Sequence, residues 1–152
     1  QIALLFSHYE KYHNTFKSCN VGSKSIPWKW CLNCSKCLFV FTILSPFLYK
    51  DKLIAIFNED LFEKKELLDT FIDLTGYGKT KPFECVGTYN EVRYAITKVI
   101  NKLDKLPYLL EYYKNNYELA DLSQNLEKEF NIENNLDEQF IKILREELDK
   151  YV

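Results

Sequence analysis

A mostly α-helical domain, with a cysteine-rich zinc-knuckle loop after its first helix and a helical C-terminal extension, is the fold class the sequence predicts. Three observations lead there. Apolar residues recur at spacings of three and four along most of the chain, which is the signature of helices with one buried face. Gly and Pro number only four each in 152 residues, too few for a sandwich of short strands joined by tight turns. Four of the five cysteines, Cys19, Cys31, Cys34 and Cys37, crowd into one segment that has no helical periodicity of its own.

The elements follow in order. Ile2, Leu5, Phe6, Tyr9 and Tyr12 or His13 share a helical face, so the spacing predicts a first helix running to about His13. Asn20–Trp30 holds Gly22, two serines and Pro27 and reads as a loop. A second helix around Leu38–Ser45 is apolar on every side and must therefore be buried, and Pro46 ends or kinks it near Ser45. Leu53–Phe57 is a short apolar stretch, followed by a helix over about Glu63–Leu74 with Gly76 or Gly78 as its C-cap. Phe83–Val86 is the best candidate for a short extended piece. Thr88 and Glu91 have the spacing of a capping box, in which hydroxyl and carboxylate each satisfy the other's free amide. They open a helix carrying Val92, Ala95, Ile96, Val99, Ile100 and Leu103. Pro107 suits the first turn of a helix over Leu106–Tyr117. Asn135 and Glu138 are cap candidates for a last helix with Phe140, Ile143, Leu144 and Leu148. The Asn-rich, acidic stretch 114–139 reads as a loosely attached segment.

Hydrophobic residues at 47 % exclude an intrinsically disordered chain. The net charge of −2 argues against a nucleic-acid partner, which calls for a basic protein. The charge is uneven, however. Residues 1–52 carry seven lysines against Glu10 and Asp51, so an anionic ligand or partner would meet this third of the chain most favourably. The longest apolar run, Leu38–Tyr49, is too short to span a bilayer and no signal peptide is visible, so the expectation is a cytoplasmic protein with no membrane partner. The chain opens on Gln1 within an apolar-periodic segment and reads as a fragment of a longer protein.

The cysteine series is C-x11-C-x2-C-x2-C. A C-x2-C pair brings two thiolates to one metal with little backbone strain, and four thiolates make a closed tetrahedral zinc site with no position left for water. Such a site is structural. C-x2-C-x2-C also occurs in iron–sulfur proteins, but there the run continues x3-C-P, whereas this one continues Leu-Phe-Val-Phe. Free or redox-active thiols are the remaining reading, and disulfides fit poorly with a cytosolic setting. His8 and His13 are alternative ligands, read here as ordinary, partly exposed histidines. Cys85 stands apart in Pro-Phe-Glu-Cys-Val-Gly-Thr. It is either a small buried hydrophobe or a thiolate whose pKa is lowered by the amides near Gly87 and the helix start at Thr88.

Four segments together carry a resemblance: Ser18-Cys-Asn20, Trp30-Cys-Leu-Asn-Cys-Ser-Lys-Cys37, Leu44-Ser-Pro-Phe47 and Pro82-Phe-Glu-Cys-Val-Gly-Thr88. They resemble the C-terminal region of the UDP-N-acetylmuramoyl-L-alanyl-L-glutamate epimerases, bacterial enzymes of peptidoglycan-precursor synthesis. The resemblance covers about residues 1–103, and 104–152 is set apart as the helical extension. Ser35 departs from the family pattern, where Pro is expected. The cysteine series alone is also similar to the four-cysteine zinc site of 7-cyano-7-deazaguanine synthase, an ATP-using enzyme of the PP-loop type.

The resemblance implies a reaction in which ATP adenylates the α-carboxylate of the terminal L-Glu of a UDP-muramoyl dipeptide. The anhydride acidifies the α-proton, a base removes it, and reprotonation on the other face followed by hydrolysis yields D-Glu, AMP and pyrophosphate. It implies UDP-muramoyl dipeptide and ATP as partners and zinc as a structural cofactor. The chain has no Ser-Gly-Gly-x-Asp-Ser signature, and Gly78-Lys79-Thr80 lacks the upstream glycine of a phosphate-binding loop, so ATP and Mg would be held by a preceding part of the protein. Cys85 is the candidate for proton transfer, with Glu84 and Glu91 behind it, and Lys24, Lys29 and Lys36 could meet phosphates. Two other readings stand beside this one: a zinc-braced module of another PP-loop enzyme, and a non-catalytic interaction module that presents Tyr108, Tyr112, Tyr113 and Tyr117 to a partner.

Overall fold

The computed structural model describes residues 1–82, 86–129 and 133–151. Among these the fold is helical throughout, as expected: α1 (Ile2–His8), α2 (Ser35–Leu44), α3 (Lys50–Phe57), α4 (Leu68–Thr75), α5 (Tyr89–Lys102), α6 (Tyr108–Asn116) and α7 (Glu138–Leu148). No strand occurs among the described residues. The extended piece expected at Phe83–Val86 lies mostly outside them.

The centre is α2. Its apolar residues leave no polar face, and it is accordingly enclosed on all sides, by α1, α3, α4 and α5. Leu38, Phe41 and Leu44 are buried, while Phe39, Val40 and Ile43 pack against the core from its rim. The buried hydroxyls at its C-terminal end are satisfied within the chain: Thr42 donates to the Leu38 carbonyl at 2.8 Å and the C-cap Ser45 to the Thr42 carbonyl at 2.7 Å. An aromatic row threads the core. Trp30 stacks on Phe57 at 4.6 Å, and Phe57, Phe41, Phe62, Phe71 and Tyr113 then meet edge to face at 5.0–6.2 Å. Such contacts are each worth about 0.5–1.5 kcal/mol beyond their burial. The row ties the cysteine loop, α2, α3, α4 and α6 into one core.

The Thr88–Glu91 capping box is formed as the spacing predicts. Thr88 N–H donates to Glu91 Oε2 at 2.7 Å, and Glu91 N–H to Thr88 Oγ1 at 3.2 Å. It starts α5, whose Val92, Ile96, Val99 and Ile100 face the core. Gly76 takes the left-handed conformation at the end of α4, with φ +78°, and Tyr89 lies so close that an added Cβ would meet its ring at 2.7 Å.

Several boundaries differ from expectation. The first helix stops at His8, because Tyr9 leaves helical geometry and a short 3-10 turn, Glu10–Tyr12, follows. Leu53–Phe57 is the end of a full helix, α3, closed by Asn58 in left-handed geometry at φ 65°. The helix expected over Glu63–Leu74 breaks into 3-10 turns at Leu61–Glu63 and Lys65–Leu67 before α4 begins. Pro107 precedes α6 as its N-cap rather than occupying its first turn. The stretch after α6 is tied down more firmly than its composition suggests. Ala120 N–H donates to Thr97 Oγ1 at 2.9 Å, Lys98 pairs with Glu127, and Gln1 donates to the carbonyls of Glu127 and Glu129. In α7 the expected apolar face is only partly used. Leu148 is buried where Tyr151 stacks on His8 at 3.9 Å, but Phe140 and Ile143 face outward.

Candidate metal centre

The loop between α1 and α2 brings together the four cysteines that the spacing singles out. Cys34 sits at the N-cap of α2, where its sulfur accepts the Cys37 amide at 3.4 Å. One helical turn later Cys37 points back to the same place. Cys19 is brought over by the turn that follows it, and its sulfur accepts the Gly22 amide at 3.1 Å. Gly22 has no substitute here, because a Cβ would fall 1.7 Å from the Lys29 carbonyl oxygen. Trp30, buried on Phe57 and edge-on to Phe16, holds the strand of chain that delivers Cys31.

The sulfurs have the spacing of a metal site. Cys34 lies 3.5 Å from Cys37 and 3.8 Å from Cys19, Cys31 lies 3.7 Å from Cys37, and all four fall within 4.8 Å of one another. Four thiolates bound tetrahedrally at about 2.3 Å are separated by about 3.8 Å. A disulfide would need about 2.05 Å, and the four cysteines are free thiols. The donor set is all sulfur, which suits zinc and disfavours magnesium or calcium.

The protonation of the group shows what a cation would do. The Cys34–Cys37 hydrogen bond and, behind it, the Cys37 amide hold the Cys34 thiol down to about 5. The same hydrogen bond and burial push the Cys37 thiol up. Burial raises Cys31 as well. Metal-free, the cluster therefore keeps protons that a divalent cation would displace. Nearby, the Ser18 hydroxyl and the Trp30 indole N–H are buried without a partner, and each orphan of this kind costs about 1–3 kcal/mol.

The other candidates fall elsewhere. His13 is not partly exposed but buried, with Nε2 2.9 Å from the Phe6 carbonyl and its ring against Phe6; His8 stacks on Tyr151. Neither reaches the sulfurs. Glu91 is committed to the capping box. Lys24 and Lys29 are exposed on the loop, and Lys36 is half-buried on α2. Cys85 and Glu84 lie outside the described residues. Just beyond them Gly87 approaches α2 so closely that a Cβ would meet the Phe39 ring at 3.0 Å, so the Pro-Phe-Glu-Cys-Val-Gly-Thr motif ends against the helix that bears Cys37. The sequence marked Gly22 only as a loop residue and Ser18 and Trp30 only as part of the resemblance, with no role for any of them at the sulfurs. The signal for Gly22 was its position three residues after Cys19, where a metal-binding turn needs a free amide and no side chain.

Comparison with known proteins now decides the family. The model of the MurL C-terminal domain matches residues 15–127, most of the chain and the whole cysteine loop. The chain belongs to this family. Its MurL C-terminal domain is 36 % identical over 92 residues to a UDP-N-acetyl-alpha-D-muramoyl-L-alanyl-L-glutamate epimerase of Micromonospora sp., covering 59 % of this chain and 21 % of that protein. The epimerase of Salinispora tropica is likewise 36 % identical over 92 residues, covering 59 % of the chain and 20 % of the relative. That of Xanthomonas oryzae pv. oryzae is 32 % identical over 108 residues, 68 % of the chain and 24 % of the relative. The chain thus spans between a fifth and a quarter of the length of these curated relatives. No solved structure matches it. Among the described residues no helix is long and apolar enough to cross a membrane.

Proposed function

We propose that this MurL C-terminal domain serves an ATP-dependent epimerase that converts the terminal L-Glu of a UDP-muramoyl dipeptide to D-Glu, and that Cys19, Cys31, Cys34 and Cys37 hold one structural zinc. The observation that carries the reading is the coincidence of the family match with a four-sulfur cluster of tetrahedral dimensions. Zinc, when bound, supplies a fixed cross-link and no open position for chemistry. The chain's own residues do the rest. Cys34 and Cys37 fix the first turn of α2, Trp30 and Cys19 fix the loop, and Gly87, two residues after Cys85, approaches that helix at Phe39. Cys85 is assigned the proton transfer at the α-carbon. ATP and Mg are assigned to a part of the enzyme that the relatives have and this chain does not span. The protein is assigned to the bacterial cytoplasm, where nucleotide-sugar precursors and ATP are found together. Residues 1–103 carry the site and 104–152 the helical extension. This is a division of labour and not of packing, since Leu109, Leu110 and Tyr113 of α6 sit in the common core. That burial also weakens the reading of the tyrosines as a partner surface.

A domain exchange tests the proposal. The matching region of the Xanthomonas oryzae relative is replaced by this chain, and the product is given UDP-muramoyl dipeptide and ATP. The expected result is ATP-dependent appearance of D-Glu with one AMP and one pyrophosphate per turnover, and loss of α-proton exchange with solvent deuterium in Cys85→Ala. A folded, zinc-loaded exchange protein that leaves the dipeptide unchanged, beside an active parent, would sink the proposal.

A further inference from the structure

Between Cys19 and Cys31 the chain forms a closed loop. At its neck Lys29 N–H donates to the Gly22 carbonyl at 3.5 Å, and the Gly22 Cα faces the Lys29 carbonyl. Below the neck lie Cys19, Trp30 and Cys31, anchored in the core. Beyond it the loop carries Ile26, Pro27 and Trp28 outward. Ile26 is 102 % exposed and Trp28 52 %, with Val21 beside the neck at 56 %. A loop that turns its largest apolar residues to solvent is the reverse of what water favours.

The charge along this part of the chain has one sign. No carboxylate occurs between Glu10 and Asp51, while Lys17, Lys24, Lys29 and Lys36 all fall in that interval. None of these four lysines forms an ion pair among the described residues, although Lys50, Lys52, Lys64, Lys98, Lys142 and Lys150 all do. Two cavities, of about 310 and 270 Å³, are lined by no residue from 17 to 37, and small ligands are bound in concavities. An apolar tip with exposed lysines beside it in the chain fits an extended anionic surface with an apolar interior, where Trp and Ile enter the interfacial layer and lysines meet headgroup phosphates.

We propose that the Val21–Trp28 loop docks the protein on an anionic lipid surface, with Ile26 and Trp28 inserted and Lys24 and Lys29 paired to headgroups. The expectation of no membrane partner rested on the lack of a spanning segment, and surface docking needs none. The proposal does not depend on the epimerase reading, and either can fail while the other stands.

The test uses the 152-residue chain, purified without chelator, and vesicles of phosphatidylglycerol with phosphatidylethanolamine or of phosphatidylcholine alone. The chain is expected to sediment with the anionic vesicles and not the neutral ones, with a salt-sensitive affinity. Lys24→Gln and Lys29→Gln are each expected to weaken partitioning about fivefold, and Ile26→Asp to abolish it. All three side chains are exposed, and unchanged far-UV circular dichroism would confirm that folding is intact. Trp28 emission should shift to the blue and be quenched by brominated lipid. In Trp28→Phe that response should vanish, leaving only the buried Trp30. No sedimentation, equal binding to both vesicle types, or a fluorescence response that survives in Trp28→Phe would each overturn the proposal. So would binding that Ile26→Asp leaves intact and heparin matches, because it would mark a general polyanion site.

Discussion

The cysteine loop and the helical core lie in contact through Trp30 and Cys37, yet different physics holds each. The core around α2 rests on apolar burial and an aromatic row. The loop from Cys19 to Cys34 has only one short 3-10 turn, Gly22–Lys24, and isolated backbone hydrogen bonds, and its sulfurs meet one another and Cys37 at close quarters. Its burial is spent on two anchor points. If the cluster holds the proposed zinc, the core is expected to form without the loop's ligand chemistry, whereas the loop is expected to need both the core and the cation.

Metal removal should separate the two most sharply. In zinc-finger peptides a structural zinc is worth about 10–16 kcal/mol of apparent binding free energy, which the fold then uses. Chelation, or Cys37→Ser, is expected to abolish stoichiometric zinc, measured by mass spectrometry. It should also erase hydrogen-exchange protection at the amides of Gly22 and Cys37 while α4 and α5 keep theirs. Uniform loss of protection over the whole chain would show that loop and core are one cooperative unit and break the comparison.

The converse experiment is Phe41→Ala. Phe41 is fully buried and touches Phe57 and Phe62 edge to face. Truncation should cost about 3–5 kcal/mol and lower Tm by roughly 10 °C, read by calorimetry. Zinc stoichiometry at 20 °C should be unchanged. Loss of zinc from a still-folded Phe41→Ala protein would mean that core packing sets the sulfur geometry directly.

The core carries a pH dependence of its own at alkaline pH. Tyr113 is enclosed between Phe71, Tyr77 and Tyr117, and burial pushes its hydroxyl up to about 12. The folded state thus favours the protonated phenol over the unfolded state, where it titrates near about 10. Its contribution is fully present below pH 10 and is lost as pH rises toward 12. Denaturant midpoints should fall across that interval, and Tyr113→Phe should flatten the fall.

Much of the fold was legible because its signals are local. The capping box needs two side chains three residues apart, and the cysteine series needs only its spacing. The all-round apolarity of α2 already required burial. What escaped depends on contacts distant in sequence. The last turns of the first helix lose to a 3-10 turn at Glu10–Tyr12, and α3 was too short in its apolar part to announce a helix until Asn58 closed it. Phe140 and Ile143 have helical spacing, yet only the far end of α7 reaches α1, through Tyr9 and Glu147 at 2.7 Å. The spacing of the cysteines revealed a candidate site, but not the neck at Gly22 and Lys29 that shapes the loop above it.

The smallest effect tests the join between the two regions. Thr88 caps α5 directly after Gly87, which lies against Phe39 of α2. Thr88→Ala removes the hydroxyl that accepts the Glu91 amide and should cost about 1 kcal/mol, while Thr88→Ser should restore most of it. Glu91 Oε2 also lies 2.6 Å from the point a Gly87 Cβ would occupy, and in the variant it keeps the Thr88 amide but loses the Thr88 hydroxyl, so its hold beside Gly87 weakens along with the helix end. Thr88→Ala is therefore expected to raise hydrogen exchange at Val86–Gly87 with no change at Gly22. Equal effects at both places would show that loop and core communicate through this cap.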